Sequence, residues 1–160
     1  MGIDVRELVK GDRDAVSRIL QTCGGFTSEE IRVALELVDE ALARGVDSDY
    51  LVFVAERQNE VCGYVCIGRT PLTASTWHLY WLCVDGRVQG VGVGRALESH
   101  AEAFARNRGC ERLVLETSSQ PWYDKVRRFY EQCGYTQVGR IANFYKSNDD
   151  CIIYCKELAA

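Results

Sequence analysis

Glycines at positions 90, 92 and 94 follow the apolar run Leu82-Cys83-Val84 and lead into a stretch whose apolar residues recur at helical spacing. Glycine takes up positive φ and lets the backbone come close to a ligand. A strand that ends in such a loop and resumes as a helix presents free N–H groups and the positive end of a helix dipole, which together suit a phosphate. The chemistry offered by Gln89, Gly90, Val91, Gly92, Val93, Gly94 and Arg95 is therefore anion binding. A dinucleotide fingerprint G-x-G-x-x-G would need a third glycine at position 95, where Arg95 stands, and the Gly-Lys-Ser/Thr of a triphosphate loop is absent. A glycine-rich turn without a ligand is the plain alternative.

Other residues could move protons. His78 lies in the strand-like run Ser75–Val84, and the pKa of histidine suits a general base. Unbroken alternation would put His78, Tyr80, Leu82 and Val84 on one face of that strand. Glu116 is a carboxylate on a neighbouring short strand, and His100, within a helical stretch, reads as structural. Asp149 and Asp150 fall in a polar turn, where they either attract an ammonium group or are simply solvated.

The elements that position these residues follow from periodicity. Ile3–Lys10 reads as a first strand, and helices follow over Asp12–Cys23 and Thr27–Ala43, the second opened by the capping box Thr27/Glu30. Tyr50–Glu56, Val61–Gly68 and Ser75–Val84 are strand-like, and a helix runs from Gly92 to about Arg108. Arg112–Thr117 is a short buried strand, Trp122–Cys133 is helical, and Tyr135–Phe144 and Cys151–Lys156 close the chain as strands. The order β-α-α-β-β-β-α-β-α-β-β defines a mixed α/β (α+β) domain, with a largely antiparallel sheet and one parallel crossover.

Composition limits the function classes. The 160 residues make one domain's worth of chain, 1–160, with a net charge of −4. That acidity argues against a general nucleic-acid partner. No apolar run is long enough to span a membrane, and the N-terminus lacks a signal-type segment, so a cytoplasmic location is expected. The eight cysteines include no Cys-x-x-Cys pair and most sit in apolar runs, so they read as reduced, buried thiols and no metal is expected.

Gln89-x-x-Gly92-x-Gly94 resembles the Q/R-x-x-G-x-G/A signature of the GNAT family of N-acetyltransferases, placed as in that family between a central strand and a long helix. Arg128-Phe129-Tyr130-Glu131-Gln132-Cys133-Gly134-Tyr135 is similar to the F-Y-E-x-x-G-F/Y end of that family's last helix, and the order of elements agrees from Ile3 to about Leu158. The resemblance implies a GNAT-like fold with a seven-stranded sheet. It places acetyl-CoA in a cleft where Trp77–Val84 and Arg112–Ser118 splay apart. Backbone groups of Leu82, Cys83 and Val84 would hold the acetyl oxygen and the pantetheine arm. The N–H groups from Gln89 to Arg95 would hold the pyrophosphate, and Tyr123 and Val126 would flank the CoA arm. Arg87 and Arg95 would either add charge near the phosphates or be solvated.

By the same resemblance a primary amine attacks the thioester directly and CoA thiolate leaves, with Tyr130 as the acid for the sulfur. His78 stands where histone-type members carry their catalytic glutamate, and a water relay is the alternative base. One position departs from the pattern: Tyr123 stands where many members have asparagine. The acceptor, expected to be a small amine or amino acid, would meet the first two helices, the His78/Tyr80 face and the last hairpin. A non-catalytic acyl-CoA sensor, a nucleotide-binding domain and a homodimer are open alternatives on sequence alone.

Overall fold

The computed structural model describes residues 2–158, and the strands and helices follow the order read from periodicity. They are β1 (Asp4–Glu7), α1 (Arg13–Thr22), α2 (Ser28–Arg44), β2 (Leu51–Arg57), β3 (Glu60–Arg69), β4 (Thr76–Val84), α3 (Val93–Arg106), β5 (Arg112–Ser118), α4 (Asp124–Gln132), β6 (Thr136–Lys146) and β7 (Asp149–Glu157). The capping box at the start of α2 forms: Thr27 Oγ1 accepts from the Glu30 N–H at 3.1 Å, and the Glu30 carboxylate accepts from the Thr27 N–H at 2.8 Å. The β2–β3 hairpin turns through Gln58 and Asn59, both at positive φ, which matches the twist of the flanking strands.

The seven strands form one sheet in the order β1-β2-β3-β4-β5-β7-β6. Every pairing is antiparallel except β4 with β5. Two cores cover its faces. Val16, Ile19 and Leu20 of α1 and Ala34 and Val38 of α2 pack on one face with Val54, Tyr64 and Cys66. Val93, Leu97, Ala101 and Ala105 of α3 pack on the other with Val65, Leu79, Leu113 and Tyr130. A sheet covered by helices on both faces holds its middle strands rigidly, so whatever lies between β4 and β5 is held in place by packing.

Two irregularities of β4 shape the middle of the sheet. Its register against β3 slips between the pairs Ile67↔Leu79 and Cys66↔Trp81, leaving Tyr80 as an extra residue in a β-bulge. Its pairing with β5 covers only Thr76↔Arg112, Trp77↔Leu113 and His78↔Val114. Beyond His78 the two strands part.

Candidate active site

The parting of β4 and β5 opens a gap through the middle of the sheet. Along it, Leu79–Val84 has a strand partner only on the β3 side among the described residues. The Asp85 N–H bonds the Cys62 carbonyl on β3, so by alternation Cys83 also turns its backbone to β3, contrary to expectation; on the gap edge the Leu82 backbone groups and the Val84 N–H remain available to a ligand.

The bulge overturns the expectation that His78, Tyr80, Leu82 and Val84 share a face. Trp77 and Leu79 pack toward α3, while His78 and Tyr80 lie on the α1/α2 face with their rings stacked 4.8 Å apart. The extra residue then shifts the alternation by one. Trp81 and Cys83 join the α1/α2 core, and Leu82 and Val84 turn toward α3. Cys83 packs its side chain beside Tyr64 in the α1/α2 core, where hydrogen bonding to Cys23 and burial push its thiol well above the ordinary range.

The glycine loop leaves β4 through a short 3-10 turn at residues 86–88. Asp85, 1% exposed, accepts from the Arg87 N–H at 2.9 Å and pairs with the Arg87 guanidinium at 2.7 Å, and Gln89 Nε2 donates to the Val84 carbonyl at 3.2 Å. Gly90 and Gly92 adopt φ of 82° and 97°, and Gly92 caps α3 in the left-handed region. The first α3 amide to return to this turn is Ala96, bonding Gly92 O at 3.0 Å, which leaves the N–H groups of Val93, Gly94 and Arg95 facing outward from the helix start. Gly94 is closely packed: a Cβ there would sit 3.2 Å from the Phe129 ring, which would have to give by a few tenths of an ångström. The loop thus fits a pyrophosphate through its backbone. Val93 itself is buried, Val91 is half exposed, and neither side chain carries charge to the site.

The two arginines serve other partners. Arg95 donates to the Gln132 carbonyl at 2.9 Å and to Cys133 Sγ at 3.5 Å, closing the end of α4, and Arg87 is bound to Asp85. The anion site is therefore built from the main chain and the helix dipole.

Tyr130 is buried in the core on the α3 side of the sheet. Its ring packs edge-on against Phe129 at 5.2 Å and Tyr135 at 5.5 Å, and no described residue hydrogen-bonds its hydroxyl. Burial, first of all, raises its pKa well above 10, so the phenol stays protonated across the physiological range. Tyr123 lies half-buried in the turn before α4, and Val126 is 37% exposed on its first turn. The segment before them is anchored: Gln120 N–H donates to Ser118 Oγ at 3.1 Å, and Arg127 binds the Ser118 carbonyl.

On the opposite face, His78 Nε2 lies 3.7 Å from Glu116 Oε1, spanning the point where the strands separate. Burial holds the imidazole below its ordinary 6.5, against the upward pull of the Glu116 carboxylate. A neutral imidazole at pH 7 can accept a proton. His100 is elsewhere, packed against Phe53 at 4.7 Å. Asp149 and Asp150 are both engaged: Asp149 is buried and accepts from Ser118 Oγ, and Asp150 pairs with Arg140 at 2.7 Å and accepts from the Asn143 N–H. Neither carboxylate is free for an ammonium ion. The residues that sequence reading passed over are aromatic: Phe26 against Trp81 at 5.3 Å and Tyr50 against Tyr80 at 5.4 Å. The density of rings in Trp77-His78-Leu79-Tyr80-Trp81 was their one local signal.

A sheet split after its only parallel pair, with a glycine loop opening the following helix, is the arrangement of an acyl-CoA-dependent transferase. The sequence matches the Acetyltransferase (GNAT) family over residues 14–135, more than half the chain, and the protein belongs to that family. The fold agrees with a solved structure from Desulfovibrio desulfuricans described as a GNAT-family acetyltransferase: TM-score 0.94, 38% identity, with 99% of this chain and 100% of that one covered. A Thermoplasma acidophilum PaiA N-acetyltransferase solved with coenzyme A has the same fold at 18% identity and TM-score 0.77, over 99% and 100% of the two chains. The 5-NmdU N-acetyltransferase of Pseudomonas phage PaMx11 is 34% identical over 88 residues, 55% of this chain and 59% of that protein. This chain thus spans less than two thirds of that relative's length. No helix among the described residues is long and apolar enough to cross a membrane.

Proposed function

We propose that this acetyltransferase moves the acetyl group of acetyl-CoA to a primary amine by direct attack across the split in the sheet. The observation that carries this reading is the placement of Tyr130 and His78 on opposite faces of the sheet, with the bulge at Tyr80 turning Leu82 and Val84 to the Tyr130 side. Acetyl-CoA supplies an activated acyl group on a thiol that leaves readily. Everything else falls to the chain. The outward N–H groups at Gly90–Arg95 bind the pyrophosphate, and the free Leu82 backbone groups and Val84 N–H orient the arm and the carbonyl. Leu82 and Val84 face the α3 side, where Tyr130 also lies, so the thiol departs toward a protonated phenol. The amine comes from the α1/α2 side, where His78 takes its proton.

The supporting experiment is a free-thiol assay with acetyl-CoA and a set of primary amines, paired with acetyl-CoA binding measured by calorimetry. The reading requires both binding and amine-dependent thiol release. Tight binding with no release for any amine would leave a CoA-binding protein and remove the transfer role.

A further inference from the structure

The α1/α2 mouth of the gap has a chemical character of its own. Its walls are rings: His78 stacks on Tyr80 with planes only 18° apart, Tyr50 meets Tyr80 edge-on at 73°, and Phe26 meets Trp81 edge-on at 70°. Phe26, Tyr50, His78, Tyr80 and Trp81 are each only partly buried, so their faces and edges remain open to a ligand. Gly68 makes this possible, because a Cβ there would sit 3.2 Å from the Tyr80 ring.

One carboxylate stands out in this mouth. Asp149 is taken by Ser118, Asp150 by Arg140, and Glu30 by the start of α2. Glu116 meets no lysine or arginine among the described residues, keeps 43% of its side chain exposed, and reaches only His78. Burial raises the Tyr80, Tyr145 and Cys151 pKa values, and the Glu116 carboxylate adds a smaller push to each, so it stands within reach of both β4 and the last hairpin; Asp49, in the exposed segment before β2, also acts on Tyr80. A cation would be welcome beside Glu116, and the neighbouring rings offer flat apolar surface and π faces.

Building on the acetyl-transfer reading, we infer that the acceptor is a primary amine borne on a planar aromatic or heteroaromatic ring. The ring lies among Tyr50, Tyr80 and Trp81, and Glu116 receives the ammonium group before His78 accepts its proton. A carboxylate next to the amine, as in an α-amino acid, would face Glu116 directly.

The test uses the whole chain and follows thiol release from acetyl-CoA with phenethylamine, tryptamine, n-hexylamine, spermidine, phenylalanine and a short unblocked peptide. The aryl amines should lead n-hexylamine, spermidine and phenylalanine in kcat/KM by about tenfold or more, the order expected from a few directed contacts. Glu116→Gln, an isosteric change at an exposed side chain, should raise KM for the aryl amine about tenfold while kcat changes less than about threefold, the effect of one charge-assisted hydrogen bond. Tyr80→Leu should raise KM for the aryl amines and leave that for n-hexylamine unchanged. Preference for the peptide, spermidine or n-hexylamine would overturn the ring assignment and leave the transfer reading standing. Release with no amine, while acetyl-CoA still binds, would remove both. If Glu116→Gln lowers kcat with KM constant, Glu116 acts only through His78 and the ammonium assignment fails.

Discussion

The His78 imidazole and the Glu116 carboxylate face each other at 3.7 Å across the last residue at which β4 and β5 are paired. The pair sits at the apex of the split, on the side from which the proposed amine would come. Its electrostatics make a definite statement about pH. Burial lowers the His78 pKa from 6.5, and Glu116 opposes that shift. The active form of a base is the neutral one, so kcat/KM should fall as pH drops through this lowered pKa. Removing the opposing carboxylate by Glu116→Gln lowers the pKa further and should move the acidic limb to lower pH. His78→Ala should abolish the limb and reduce the rate by about a hundredfold, the low end for a lost general base. A pH–rate profile between pH 5 and 8 reads all three, and an unmoved limb in His78→Ala would remove His78 from the chemistry.

Tyr130 is the complementary case on the opposite face. Its hydroxyl has no partner among the described residues, and burial keeps it protonated. Tyr130→Phe preserves the ring packing against Phe129 and Tyr135 and deletes only the donor. Turnover should fall by at least about tenfold with little change in acetyl-CoA affinity, the pattern of an interaction made in the transition state. Steady-state kinetics and calorimetry together check it, and unchanged turnover would remove the acid role.

The loop can be tested without touching a charged side chain. Gly92 holds φ 97° at the start of α3. Alanine in that conformation costs roughly 1–2 kcal/mol, so Gly92→Ala would relax the loop and turn the α3 amides away from a common centre. Acetyl-CoA Kd should weaken by about five- to thirtyfold, while the melting temperature in the absence of ligand falls by only about 2–8 °C. Mutating Arg95 to Ala should instead loosen the end of α4, where its guanidinium is bound.

Asp85 links the loop to stability. Its carboxylate is depressed below the ordinary 3.8, first by its hydrogen bond to Arg87. A depressed folded-state pKa means the native state holds fewer protons, so the contribution is complete above pH 3.8 and is lost as pH falls through the lower folded value. Asp85→Asn should therefore cost on the order of 1 kcal/mol at pH 7, with the gap to the parent narrowing below about pH 4. Urea denaturation at pH 7, 5 and 3 measures this directly.

Gly68 offers a purely steric check. A Cβ there would lie 2.3 Å from the Asp49 carbonyl oxygen, which is backbone and cannot swing aside. Gly68→Ala should destabilise the fold by about 1–3 kcal/mol, as overpacking does. Thermal melting would show it, and a neutral result would mean that the segment before β2 yields more easily than its packing suggests.

Much of the fold and the donor side of the site was legible in the amino-acid order. The glycine loop, the helix behind it and the Phe129–Tyr130 pair stand at fixed short spacings, and the periodicities around them separate helix from strand without ambiguity. The bulge at Tyr80 was not, because it exists only as a mismatch between residue counts on β3 and β4, and alternation along β4 alone assigns Leu82 and Val84 to the wrong face. Arg95 was misleading for a related reason. Its partners, Gln132 and Cys133, lie more than thirty residues away, so a basic residue beside a phosphate loop looked free when it was not. Asp149 and Asp150 fell to the same kind of long-range engagement, through Ser118 and Arg140.

The extra residue at position 80 sets the phase of every β4 residue after it. Were the bulge smoothed with all the residues kept, so that alternation ran unbroken through Tyr80, Leu82 and Val84 would pass to the α1/α2 side and Trp81 and Cys83 would turn toward α3. Each side chain in the strand would keep its identity, while the groups that meet CoA and those that meet the amine changed places. The proposed division of labour between the two faces thus depends on one strand keeping its bulge.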